Sequence, residues 1–315
     1  MAKSKFKDPK FSNETAARAW FEAARWPQGP ICPRCKSPKH YVTKKEGVYR
    51  CAAKECRKDF TVMTGTVMER SHAPLTAWAL GFNLAASSKK GISAHQLHRE
   101  TGVQYNTAWF MWHRIREAMA RGGLELPPLG GAGKVVEVDE TYFGGLPEHK
   151  RSEAKRTGRP WHRITRGVGT KRAILTLVER GGEARSFYVE NAPVERVVGI
   201  VRRNIAKESR LHTDESHLYR KVGKEFADHE SVVHSRNEYA RGDVTTNTVE
   251  GFFGVFKRGM KGVYQHCDEK HLHRYLAEFD FRYKYRASLG YSDDERAIAA
   301  VRGGEGKRLT YRQPL

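Results

Sequence analysis

The chain has 315 residues, 57 Lys and Arg against 36 Asp and Glu, a formal net charge of +21 and 39% hydrophobic residues. That apolar content supports packed cores and excludes a disordered basic tail, and the length suits two or three domains. Five cysteines are too few for a disulfide scaffold. No apolar run approaches the ~20 residues that span a bilayer, and no apolar stretch behind the Lys-rich start makes a secretory signal. A cytoplasmic chain with no membrane partner is therefore expected.

The charge is uneven. Residues 1–133 carry a surplus of +12 and the short stretch 144–172 a surplus of +7, which leaves the rest of the C-terminal part nearly neutral. A polyanion is the expected partner, and two separate phosphate-contacting surfaces are indicated.

The first element in chain order is a short helix leading into a cysteine cluster, together covering 14–70. Cys32, Cys35, Cys51 and Cys56 are spaced C-x2-C, fifteen residues, C-x4-C. Two tight knuckles joined by a hairpin bring four thiolates around one tetrahedral Zn²⁺, and with few large apolar residues the segment depends on that ion to fold. Pro33 stiffens the first knuckle, and Tyr49 and Phe60 flank the second. A redox dithiol explains only one of the pairs. Cys267 stands alone and reads as a thiol within a helix.

Residues 71–123 read as three helices: one from about Pro74 to Ser87, a short one capped by Ser93 and broken at Gly102, and one from about Asn106 to Ala120. Ala108, Met111, Ile115 and Met119 form the buried face of the third. A short helix, a turn and a longer helix fit a helix-turn-helix, with an ordinary helical hairpin as the alternative. His113, Arg114, Arg116 and Arg121 give the third helix a basic side. Gly122–Gly133 reads as a linker.

The region 134–290 alternates strands and helices. Strands are predicted at Val135–Tyr142, Arg172–Glu179, Ala184–Val189, Arg210–Thr213 and Ser231–His234. Helices are predicted from Pro193 to Lys207 and from Asn247 onward, with 291–315 left as a C-terminal tail. The order βββαβαβα places Asp139 on the first strand, Asp214 after the fourth and Glu250 on a helix. That is the layout of an RNase-H-like α/β fold, a mixed five-stranded sheet flanked by helices, in which three carboxylates converge on one edge. Hard oxygen ligands suit two Mg²⁺ (or Mn²⁺) ions and an in-line phosphoryl transfer. Asp139 and Glu140 should point to opposite faces of their strand, so only one is expected at the site.

On the last helix Val249, Phe252, Phe253 and Phe256 form a buried stripe, while Asn247, Glu250, Gly254 and Lys257 fall on the other side. Asn247-x-x-Glu250 also fits a capping box, which would give Glu250 a purely structural task. Asp214, taken alone, fits a helix N-cap.

The chain resembles bacterial insertion-sequence transposases with an N-terminal zinc ribbon and a DDE core, the group called the fifteen-ninety-five insertion-sequence family. The matching stretches are Trp26-Pro27 before Cys32-Pro33-Arg34-Cys35, Thr64-Gly65-Thr66-Val67, and Val138-Asp139-Glu140-Thr141-Tyr142-Phe143-Gly144-Gly145. They continue with Thr213-Asp214, Asn247-Thr248-Val249-Glu250-Gly251-Phe252-Phe253, Lys257-Arg258-Gly259, and the run His271 to Phe279. The second knuckle, Cys51-x4-Cys56, departs from the family's usual C-x2-C. The resemblance implies Asp139, Asp214 and Glu250 as metal ligands, with Lys257 as the basic residue after the third acid and Asn247 as a rival for the third place. It implies a DNA transposase that binds terminal inverted repeats and cuts and joins DNA, acting on element ends and target as a homo-oligomer. Arg114, Arg116, Lys150, Arg151, Lys155, Arg156 and Arg258 are the expected phosphate contacts. A non-cutting regulator and a structure-selective nuclease are the competing functions.

Overall fold

A computed structural model describes residues 7–121, 126–144, 171–189 and 193–310. The predicted DNA contacts Lys150, Arg151, Lys155 and Arg156 lie outside the described residues, as does most of the basic stretch 144–172. The chain divides into two compact units, Met1–Arg121 with Tyr285–Leu315, and Gly122–Lys284.

The first unit opens with helix α1 (Glu14–Arg25), whose N-cap Asn13 accepts from the Ala16 N–H. A three-stranded antiparallel ribbon follows, β1 (His40–Val42), β2 (Tyr49–Cys51) and β3 (Asp59–Phe60) in that order. Trp26, Tyr49 and Phe60 pack against one another with ring centroids 5.7–6.0 Å apart and form the ribbon's small core. Three helices come next: α2 (Leu75–Ser87), α3 (Ala94–Thr101) and α4 (Tyr105–Met119). Ser93 caps α3, and Gly102 ends it with φ +69, a conformation costly to residues with a Cβ. Ala108, Met111, Ile115 and Met119 are buried as their spacing demands. His113 and Arg116 are buried as well, 3% and 1% exposed, with the Arg116 guanidinium over the Trp112 ring. The basic side expected for this helix therefore reduces to its partly exposed residues. Arg116 thus sets its planar head over the Trp112 ring inside the unit instead of presenting it at the surface.

The second unit holds the main sheet. Its strands are β4 (Val135–Phe143), β5 (Arg172–Glu179), β6 (Ala184–Val189), β7 (Arg210–Thr213) and β8 (Asp228–Ser231), in the order β6-β5-β4-β7-β8. β5 runs antiparallel to β4 and β6, whereas β7 is parallel to both β4 and β8. This is the mixed five-stranded RNase-H-like sheet. Helix α5 (Val194–Asn204) covers one face through Val197 and Val201, packed with Val136, Val138, Leu175 and Leu211. After the small hairpin β9 (Ala240–Arg241) and β10 (Val244–Thr245), helices α6 (Asn247–Gly259) and α7 (Leu272–Lys284) cover the other face. There Val249, Phe252, Phe253, Phe256, Leu272, Leu276 and Phe279 form a second core with Ile174 and Val178.

Four expectations change. The fifth strand lies at Asp228–Ser231, three residues earlier than predicted, and two 3-10 turns (His217–Tyr219 and Val222–Glu225) stand where a helix was expected before it. The described part of the linker is docked: Leu129 is 1% exposed and bridges to Ile205. Gly130 permits this close approach, because a Cβ there would meet Ser209 Oγ at 2.0 Å. Cys267 lies outside any helix, beyond a π-helical turn that ends at Gln265 with φ +57. The supposed C-terminal tail contains α8 (Asp293–Gly303), started by a Ser292–Glu295 capping box and returned to the first unit. It packs on α2 and α4, and a Cβ on Gly303 would meet the Ala118 carbonyl oxygen at 2.4 Å. Asp293, Asp294 and Glu295 in the first turn give that helix a strong start that its position near the end of the chain concealed.

Candidate active site and metal centre

In the first unit all four ribbon cysteines converge, with sulfur atoms within 4.8 Å of one another. Cys32 and Cys56 are 3.8 Å apart, and Cys35 and Cys51 are 3.4 Å apart. The irregular second knuckle has a simple explanation. In the first, the Lys36 N–H bonds the Cys32 carbonyl and Lys36 takes φ +60; in the second, the Arg57 N–H bonds the Ala53 carbonyl and Arg57 takes φ +48. Both turns have the same form, with Ala53 standing where Cys32 stands in the first. The missing ligand is supplied by Cys51, two residues earlier on β2. Burial would push the Cys32 thiol up, but the Cys35 and Arg34 backbone N–H groups outweigh it and bring it to about 7. Four soft sulfur donors, one already inclined to ionise, fit a structural Zn²⁺.

In the second unit the acids gather at the C-terminal end of β7. β7 stops opposite Val138, so beside Asp139 the flank of β4 is open. Asp214 follows directly and sits in that opening. Oxygens of Asp139, Glu140 and Asp214 lie within 4.8 Å of one another. Strand alternation leads one to expect only one of Asp139 and Glu140 here, whereas the structure brings an oxygen of each to Asp214. They do leave the strand on opposite faces, but where the neighbouring strand has ended both side chains can turn into the same space. Tyr219, fully buried, donates to Glu140 Oε1 at 2.6 Å and fixes its direction. Asp214 Oδ1 accepts from the Ser216 N–H at 3.0 Å, a local turn rather than a helix cap.

These carboxyls are strongly perturbed. Burial, then the Asp214 and Glu140 charges, push Asp139 up to about 8. Burial pushes Glu140 up to about 7, against the pull of the Tyr219 hydrogen bond. Burial raises Asp214 too. Crowded carboxylates that resist ionising by themselves are a suitable donor set for a hard divalent cation, whose charge reverses that resistance.

Glu250 stands beside this group rather than within it. It lies on α6, accepts from Thr246 Oγ1 at 2.9 Å and has His234 Nε2 at 3.7 Å, and its charge is felt at Asp139. The capping-box alternative does not form. The N-cap is Thr246, and the first free N–H groups of α6 are taken by a residue that the sequence did not single out. Glu137, 0% exposed, accepts from the Thr248 and Val249 N–H groups at 2.8 and 3.0 Å and from Thr248 Oγ1 at 2.8 Å. Arg180 Nε donates to the same carboxylate at 2.6 Å, while its other nitrogens reach the Asp243 and Thr245 carbonyls. A buried negative charge at a helix N-terminus is favourable, and the ion pair compensates its burial. Glu137 thus anchors α6 to β4 two residues from Asp139. The available signal was an acid at i−2, on the same face of the strand, inside a β-branched run.

Asn247 is exposed at the start of α6, and its N–H bonds Thr245 Oγ1 at 3.0 Å. Lys257 lies further along α6, lining a separate cavity of about 400 Å³. Arg258 is exposed beside Gly254. In the first unit Arg114 is half-buried and, with Arg70, His72, Tyr105 and Trp109, lines a groove of about 820 Å³ at the start of α4.

Comparison with known proteins divides the chain in the same two parts. Residues 12–59 match a transposase zinc-ribbon domain, and residues 128–284 match an ISXO2-like transposase domain. A curated relative from Halobacterium salinarum, named as an uncharacterized protein in transposable element ISH50, is 28% identical over 280 residues, covering 86% of this chain and 91% of its own length. The thiol cluster falls in the first match and the converging carboxylates in the second, and the chain belongs to the ISXO2-like family of insertion-sequence transposases.

Proposed function

We propose that this transposase binds the terminal inverted repeats of its own element through the first unit and cuts and joins DNA with the carboxylates of the second. The observation that carries the reading is the convergence of Asp139 and Asp214 at the end of β7, with Glu250 presented from a helix anchored by Glu137. Asp139, Asp214 and Glu250 would hold divalent cations. Glu140 joins them by proximity. Bound there, Mg²⁺ would activate the attacking oxygen and neutralise charge on the leaving one.

The chain's own residues shape the reaction. Water forms the new bond to phosphorus as the P–O3′ bond breaks, leaving a 3′-OH at the element end. That hydroxyl then attacks a target phosphodiester, and the target's own 3′ oxygen leaves. Each step exchanges one P–O bond for another, and no protein–DNA covalent bond is required. Helices α3 and α4, joined at Gly102, provide a helix-turn-helix surface for reading the ends, and Arg114 marks its basic edge. Bringing two ends together requires a multimer on DNA.

The test is Mg²⁺-dependent nicking and strand transfer on duplexes carrying the DNA that flanks the gene. Asp139→Asn, Asp214→Asn and Glu250→Gln are each expected to abolish both while end binding persists. Full activity in any one removes that residue from the site, and Asn247→Ala, expected to retain activity, tests its rival.

A further inference from the structure

Past Gly259, α6 runs into the π-helical turn Met260–Tyr264. Such turns are rare and recur at functional sites. Between this turn, the end of β4 and the residue preceding β5 lies the cavity of about 400 Å³ that Lys257 lines. Lys171 and Lys261 line it too, with Tyr142 and Gln265 as further hydrogen-bond donors, and among the described residues that line it none is acidic. Elsewhere in the unit basic side chains find carboxylates: Lys134 with Glu179, Arg180 with Glu137, Arg202 with Glu225, Arg210 with Asp243. Among the described residues the three cavity lysines form no ion pair. Three ammonium groups around one cavity repel one another unless an anion lies between them.

The position of the cavity indicates which anion. Glu250, Gly254, Lys257 and Lys261 follow at i, i+4, i+7 and i+11, one stripe along the helix. At ~1.5 Å per residue, Lys257 and Lys261 lie about 10 and 16 Å beyond Glu250. A DNA strand rises ~3.4 Å per nucleotide, so a strand following the stripe brings a phosphate to the cavity about three to five nucleotides from the reacting one. Gly254 leaves the intervening helix surface low, with only the tip of Arg258 near its missing Cβ.

We propose that Lys171, Lys257 and Lys261 form a subsite for a backbone phosphodiester of the DNA strand held at the carboxylates. This deepens the proposed function and rests on it. Lys257 is the basic residue expected after the third acid; Lys171 and Lys261 are new, and they make the site a pocket rather than a single contact.

The experiment compares wild type with the double variant Lys171→Ala and Lys261→Ala, leaving Lys257 in place, on a duplex of the gene-flanking DNA. The salt dependence of binding is measured first. The slope of log K against log salt is expected to fall by up to ~0.9, the value for the one phosphate that the pocket neutralises, and to be retained with Lys171→Arg and Lys261→Arg. Wild-type cleavage then maps the cut, and neutral methylphosphonates are placed one at a time along each strand. Substitution about three to five nucleotides from the cut, on one strand, is expected to weaken wild-type binding and to weaken the double variant, which keeps only Lys257 there, distinctly less. An unchanged slope, or equal methylphosphonate sensitivity in both proteins, overturns the subsite. Inorganic phosphate that protects wild type from heat and not the variant, without that coupling, assigns the pocket to free phosphate and overturns the DNA reading of it. A wild type that binds this duplex but never cuts it defeats the proposed function instead, and the salt slope still decides the pocket.

Discussion

The ribbon and the acidic edge both gather metal-binding side chains, and they do so by opposite means. The four thiols come from residues 32–56, three of them outside any strand and only Cys51 on one, in a ribbon whose strands are two or three residues long and whose core is three rings. Little besides a metal ion holds them together. The carboxylates come from residues 139–250 and stand on a five-stranded sheet with apolar layers on both faces. That frame is complete without an ion, and it forces together charges that repel. The ribbon depends on its metal to fold, whereas the second unit, in the function proposed above, would take its metal on a frame already folded.

The largest expected effect separates the two directly. Chelating zinc, or Cys35→Ser, should unfold residues 32–60, read as lost amide-exchange protection there, while β4–β8 stay protected; structural zinc in such modules is worth about 10–16 kcal/mol. A ribbon that stays protected without metal would break the contrast. Next, Glu137→Ala should destabilise the second unit by about 3–5 kcal/mol in urea unfolding, because it strands the charge of Arg180 and uncaps α6. Glu137→Gln keeps one acceptor and should cost less.

A pH effect sharpens the same point. The free Asp carboxyl titrates near 3.9, roughly, and Asp139 in the fold near about 8, so the fold holds protons that the unfolded chain releases. Their stabilising contribution is full below the unfolded value and is lost as pH rises through about 7 for Glu140 and about 8 for Asp139. Without divalent ions the second unit should therefore melt at lower temperature as pH rises across that window, and Mg²⁺ should offset the loss. A melting temperature that climbs with pH in the absence of metal contradicts the crowding. The smallest effect is local: Tyr219→Phe removes a hydrogen bond that favours the charged form of Glu140, so the pH midpoint of metal-dependent activity should move upward.

The same contrast explains what could be read from the sequence. Cysteine spacing is local, so the ribbon was legible down to its ligands; only the placement of Cys51 on a strand, with Ala53 in the turn, needed coordinates. Hydrophobic periods of two and 3.6 marked the strands, α4 and the stripe of α6, because burial repeats with the geometry of the element. Of the acids singled out in the sequence, Asp139 and Asp214 do converge, whereas Glu250 stands beside them and Glu140 stands with them. Glu140 enters because β7 ends opposite Val138, one residue short of Asp139, a matter of register between distant strands. Glu137 does its work by meeting a helix more than a hundred residues away. Arg116 looked like a DNA contact because charge is visible in a sequence and burial under Trp112 is not.

The central claim is that Asp139 touches the metal that supports cutting, and exchanging its oxygen for sulfur tests it. Asp139→Cys is expected to be inactive on end-bearing DNA with Mg²⁺, which binds thiolate poorly, and to recover nicking with the more thiophilic Mn²⁺. Equal activity with both ions, or loss that Mn²⁺ never repairs while Asp139→Asn still cuts, would contradict the account.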